Sequence, residues 1–202
     1  MKKTFALTAA TATILAGCAT YTPPSKDETL AVIKSSFQDR GIAKVDRLNQ
    51  TELQSICSET GNDPPKAVRE RLEKQALAAV KFPADGKWLG DYKLGERIAQ
   101  TGVGLQWSDA PNTTAGGNCY ACHQLTKEEI SYGNIGPSLF NYGKLRGYTD
   151  DIKRYTWAKI WNTHAYNACS SMPRFGDAGI LTEEQIRNVM ALLLDPSSPV
   201  NR

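Results

Sequence analysis

The apolar positions of this chain fall into short helical stripes separated by turn-rich linkers. Leu30, Ile33 and Phe37 recur at intervals of three and four, the spacing that lines one face of a helix. "TELQSIC" offers a second short helix. "NDPP" at Asn62 to Pro65 breaks the pattern and opens a third, because proline is tolerated in a first turn where its missing N–H goes unused. Val68, Leu72, Ala76 and Val80 mark the apolar face of that helix. A fourth, in "DYKLGERIAQTG", ends at Gly102. "TKEE" at Thr126 to Glu129 has the capping-box pattern and predicts a short helix there. "GNIGPSL" reads as a turn and an extended segment, and "DDIKRYTWAKIWN" as an amphipathic helix carrying Trp157 and Trp161. In the last helix Thr182 and Gln185 form a capping box, Ile186, Val189, Met190 and Leu193 make the apolar face, and "DP" at 195 stops it. No internal repeat and no alternating strand pattern is present. The fold class is therefore all-α, with a helical extension over residues 25 to 82.

Composition adds a core and an address. With 202 residues and 41% hydrophobic content, the chain can bury the core of one domain plus an extension. Lys2 and Lys3 begin a segment whose apolar part, Phe5 to Leu15, is too short to span a bilayer, so it reads as a secretory signal. "LAGC" at Leu15 to Cys18 resembles the lipobox of bacterial lipoproteins, which predicts cleavage after residue 17 and acylation of Cys18. Two or more acyl chains hold a protein stably at a membrane surface. "ATYTPPSKD" would follow as an extended tether. Loss of Lys2 and Lys3 leaves a net charge near +1 from the full chain's +3, which gives no case for nucleic-acid or acidic-lipid binding.

The five cysteines carry the chemistry: Cys18, Cys57, Cys119, Cys122 and Cys169. Cys119 and Cys122 stand in "CYACH", ending at His123, and C-x-x-C-H is the attachment pattern of c-type haem. Two thiols at this spacing can add to the two vinyl groups on one edge of the macrocycle, and the adjacent histidine can reach the iron. A thioredoxin-like C-x-x-C would follow a buried strand, whereas "DAPNTTAGGN" is a polar loop; a zinc site lacks a second ligand pair at metal spacing. Cys57 and Cys169 remain. In an exported protein their simplest arrangement is a mutual disulfide, worth about 4–5 kcal/mol on the chain-entropy account; free thiols or a bond to a partner are the alternatives.

For the second axial position of the iron the candidates are His164, Met172, Met190 or none. Met190 lies on a strongly periodic helix face, where methionine fills gaps in a core. His164, in "NTHAYN", suits a ligand or a polar surface residue. Met172 follows serines and precedes Pro173, which biases it towards extended backbone, so its sequence gives no packing reason for a thioether. Histidine/methionine ligation raises the reduction potential and suits electron acceptance. Around the site, a backbone carbonyl near Pro137 is a candidate to orient His123, and Arg174, Lys159 and the tryptophan or tyrosine donors are candidates for the haem propionates.

"GNCYACHQ", "GNIGPSL" and "CSSMPRFG", in this order, resemble SoxX, the monohaem cytochrome subunit of the SoxAX complex of bacterial sulfur oxidation. The resemblance covers roughly residues 90 to 195, and "CSSMPRFG" is its discriminating part. It implies a class I cytochrome c fold over residues 89–202; the lipoprotein signal peptide at 1–17 and the tether and helical extension at 18–88 are read from the residues themselves. It implies one covalently attached haem c with His123 and Met172 as axial ligands. It also implies a periplasmic electron-transfer subunit of a heteromeric L-cysteine S-thiosulfotransferase, with no catalytic residue of its own. Its partners would be a SoxA-type monohaem or dihaem cytochrome where the sulfur chemistry occurs, the SoxYZ carrier, and a small soluble cytochrome c as electron acceptor. A free-standing periplasmic electron carrier is the competing expectation. The lipobox and the long extension depart from a minimal cytochrome of this kind.

Overall fold

The computed structural model describes residues 22–202; the predicted signal segment and Cys18 lie outside the described residues. Two compact units divide after Phe37. In the first, α1 (Lys26–Ser36) starts in a capping box, with the Ser25 hydroxyl and the Glu28 carboxylate each accepting from the other's backbone N–H.

The second unit, Gln38–Arg202, holds α2 (Glu52–Glu59), α3 (Lys66–Ala78), α4 (Tyr92–Gln100), α5 (Tyr142–Arg146), α6 (Asp150–Trp161) and α7 (Glu183–Leu194). Short 3-10 turns precede α2, lie between α4 and α5 and between α6 and α7, and follow α7. The described residues contain no strand ladder, only an isolated bridge between Arg40 and Ala43. Two of the apolar stripes read from the sequence are buried faces: Leu72, Ala76 and Val80 on and just after α3, with Val68 half-buried, and Ile186, Val189, Met190 and Leu193 on α7. The stripe Leu30, Ile33 and Phe37 buries no residue, and Phe37 is exposed.

Helices α4 and α7 make the most extensive helix pair. Gly95 permits it, because a Cβ there would fall on the Asn188 carbonyl and the Leu192 side chain. Polar ties fix the register: Asn188 Oδ1 accepts from Asp91 N–H at 2.8 Å, and the Arg187 carbonyl accepts from Gly90 N–H at 2.9 Å. Arg187 also clamps Asp85 with two nitrogens, at 2.9 and 2.8 Å. Next to this pair, Trp157 of α6 is fully buried and donates its indole N–H to the Lys81 carbonyl at 2.8 Å. Trp88 meets it edge-on and Trp161 stacks on it, so the stretch between α3 and α4 is fastened to the core by aromatic contacts.

Two elements depart from the sequence pattern. The helix predicted at "TKEE" does not form. Thr126 Oγ1 does accept from Glu129 N–H, at 3.4 Å, but the chain then turns back so that Gly133 N–H reaches the Tyr120 carbonyl at 2.8 Å. Pairing with the loop before it wins over local capping. Helix α5 is the converse: five residues are too few to show periodicity. It is framed by the left-handed Asn141 and by Gly147, with φ of 58° and 84°. Its start is tied to the chain end, where Asn201 Oδ1 accepts from Gly143 N–H at 2.8 Å.

Candidate functional site

The segment leading to the two thiols is strung along the end of α4. Gly116, Gly117 and Asn118 donate to the carbonyls of Val103, Ile98 and Thr101 at 2.8, 2.8 and 2.9 Å. Asn118, in the left-handed region with φ of 46°, then turns the chain into a 3-10 turn at Cys119–Ala121. His123 N–H closes that turn on the Cys119 carbonyl at 2.9 Å. Cys119, Cys122 and His123 thus belong to one tight turn. Tyr120 between them is buried and donates its hydroxyl to Glu96 of α4 at 2.9 Å, which anchors the turn to the core. Burial pushes the Cys119 thiol up to about 12. It is held protonated, the opposite of the lowered thiolate of a redox-exchange cysteine.

"GNIGPSL" lies alongside this turn and is sewn to it. Gly133, Gly136 and Leu139 donate to the carbonyls of Tyr120, Cys122 and Gln124 at 2.8, 2.9 and 2.8 Å. Proline at 137 contributes no donor but offers its carbonyl, 2.7 Å from His123 Nδ1. Donation from Nδ1–H leaves Nε2 unprotonated, the tautomer a metal-bound imidazole needs. Gly136 lies so close that a Cβ would collide with the ring, so backbone and carbonyl together fix the imidazole.

Met172, Arg174, His164 and Cys169 form a second cluster between α6 and α7. A cleft of about 470 Å³ is lined by these residues together with Arg47, Gln54 and Cys57 from the preceding segment. The CYACH turn is not part of its lining. Met172 is half-buried and packs against the core. Its N–H donates to Ser170 Oγ at 3.2 Å, and Gly176 and Asp177 donate to the Trp161 carbonyl at 3.1 and 3.0 Å. Cys57 and Cys169 are joined in a disulfide. Arg174 is paired with Asp177 at 2.6 Å, and Lys159 Nζ is 3.4 Å from the Thr163 carbonyl. Met190 is fully buried within the hydrophobic core. His164 is buried as well, with Nε2 3.3 Å from the Ser170 carbonyl. Burial lowers its pKa and keeps it neutral.

The donor set suits a haem and not a bare metal ion. Among the described residues no three His, Cys, Asp or Glu side chains are grouped to hold one. What is present is a pair of unbonded thiols, a histidine of fixed tautomer beside them, and a thioether on a loop. No sequence signal pointed to the Tyr120–Glu96 anchor or to Asn188 in the α4–α7 contact, since both act through partners distant in sequence.

The cytochrome c family model matches residues 93–195. A protein of Aquifex aeolicus (strain VF5), described as an uncharacterized lipoprotein, is 36% identical over 157 residues, which span 76% of this chain and 73% of that protein. The chain belongs to the cytochrome c family. It is an electron-carrying haem protein with covalently attached haem c.

Proposed function

We propose that this chain is the electron-accepting subunit of a SoxAX-type complex that joins thiosulfate to a cysteine of the SoxYZ carrier. That step forms a bond between the carrier's cysteine sulfur and the outer sulfur of thiosulfate, releasing one proton and two electrons. The sulfur chemistry occurs on a SoxA-type partner, and this subunit passes the electrons singly to a small soluble cytochrome c. The haem supplies the one-electron chemistry. Cys119 and Cys122 would hold it through thioethers, His123 Nε2 and the Met172 sulfur would ligate its iron, and the Pro137 carbonyl, 2.7 Å from Nδ1, would keep His123 oriented for that task. Arg174, two residues after Met172 and paired with Asp177, would be the cation available to its propionates. Ligation by both His123 and Met172 would leave no place for substrate at the iron.

The observation that carries this reading is the loop "CSSMPRFG", which presents a half-buried methionine from a bend outside any helix while its neighbouring cysteine is engaged in a disulfide. Once that bond, the haem thioethers and the acylated Cys18 are assigned, no cysteine remains for a sulfur intermediate on this chain. The Aquifex relative's description as a lipoprotein supports lipidation of Cys18 and attachment to a periplasmic membrane face. No helix among the described residues is long and apolar enough to cross a membrane.

The test is reduction of the purified holoprotein. Thiosulfate should leave its haem oxidised when the chain is alone and reduce it once a SoxA-type cytochrome and the carrier are added. Reduction of the isolated chain by thiosulfate would overturn the division of labour. No reduction in the full mixture would favour a free-standing carrier.

A further inference from the structure

We infer that the segment before the cytochrome region, chiefly α2 and α3, is a brace that fixes Met172 on the iron, acting through Cys57 and Glu73 as positioning residues. The inference rests on Met172 being an axial ligand.

Residues 166–173 form no regular helix of their own: "YNACSSMP" follows a 3-10 turn and ends at Pro173. A loop of this kind keeps one conformation only where other elements hold it. On its C-terminal side the hold is local, through the Gly176 and Asp177 N–H groups on the Trp161 carbonyl. On its N-terminal side the hold comes from the extension. Buried Cys57 of α2 is bonded to Cys169, three residues before Met172. Glu73 of α3 accepts the Ala168 N–H at 3.1 Å, a carboxylate-to-amide bond of the stronger kind. Helix α3 also packs on the turn Thr163–Ala165 that begins the loop.

Between Cys169 and Met172 the remaining freedom is small. Ser170 Oγ accepts from both Thr163 Oγ1 and Met172 N–H, each at 3.2 Å, and its carbonyl meets His164 Nε2. The extension thus anchors Ala168 and Cys169, and Ser170 passes that placement to the methionine. A thioether is a weak, neutral ligand, displaced when a competing base or an added gas reaches the iron. Its occupancy is set by how strongly the loop prefers the bound position. A brace on the loop is therefore a brace on the ligand.

The experiment compares wild-type holoprotein with C57S/C169S, E73A, E73Q and M172A. The readouts are the red charge-transfer band of methionine-bound ferric haem, titrated towards high pH, and carbon monoxide binding to the ferrous form. C57S/C169S and E73A should each move the loss of the band down by about one pH unit or more, equivalent to about a tenfold rise in the displaced population. Carbon monoxide binding should become measurable in both. E73Q, which keeps an oxygen acceptor for Ala168 N–H, should restore most of the wild-type midpoint. If C57S/C169S does not fold, the Glu73 pair carries the test alone. Unchanged midpoints and no carbon monoxide binding in E73A would overturn the brace, as would a variant that loses thermal stability without moving the band. Persistence of the band in M172A would instead overturn methionine ligation itself, and with it the premise.

Discussion

Replacing Gly136 with alanine should dislodge His123. The added Cβ would sit 2.7 Å from the imidazole Nε2 and closer still to Nδ1 and Cε1, where ordinary contact begins at 3.4 Å. Neither side can yield easily. Gly136 is held by its N–H on the Cys122 carbonyl at 2.9 Å, and the ring is held by the Pro137 carbonyl at 2.7 Å. Relief requires the 133–139 segment to lift or the ring to swing. Overpacking of this kind costs about 1–3 kcal/mol, and losing the histidine–carbonyl hydrogen bond adds about 1 kcal/mol. For a unit of this size the sum, roughly 2–4 kcal/mol, lowers the midpoint of thermal unfolding by about 5–15 °C. The assay is thermal unfolding of the holoprotein together with its potential and axial-ligand spectrum. Wild-type stability with an unaltered spectrum in G136A would refute the argument that this glycine exists to admit the ring.

Trp157→Ala should destabilise by about 3–5 kcal/mol in chemical denaturation, since it empties a fully buried site and removes the bond to the Lys81 carbonyl. Asn188→Ala should cost about 1–3 kcal/mol in the same assay, because the Asp91 N–H loses its acceptor at the α4–α7 contact. The hydrogen bonds from Arg187, and then the Lys87 N–H, hold the Asp85 carboxyl below its usual 3.8. The unfolded chain therefore binds this proton first as pH falls, so the stability Asp85 contributes is present above 3.8 and is lost as pH drops through the lowered folded value. Acid unfolding curves of D85N should lack that part of the slope, and an unchanged acid limb would count against it.

The sequence revealed most where local rules and tertiary structure agree. The capping box at Thr182 and the stripe Ile186, Val189, Met190 and Leu193 define α7, because the helix begins by local chemistry and buries the face its periodicity marks. "TKEE" has the same local signature and forms no helix, because the 133–139 segment folds back onto the CYACH turn and takes up its carbonyls. The CYACH spacing displayed its chemistry directly, and Pro137 was legible as the residue positioned to orient His123. The support beneath the site was not legible. Glu96 under Tyr120, Asn188 under Gly95 and Glu73 beside Ala168 are ordinary helix residues in sequence and acquire a role only when distant segments meet.

The central claim, that the iron is held between His123 and Met172, is tested most directly by proton NMR of the ferrous holoprotein labelled at its methionine methyl groups. A methionine methyl bound to haem iron is shifted far upfield by the ring current. One such resonance is expected; it should persist in M190L and vanish in M172A. An upfield methyl that survives M172A, or none in the wild type, would contradict the account.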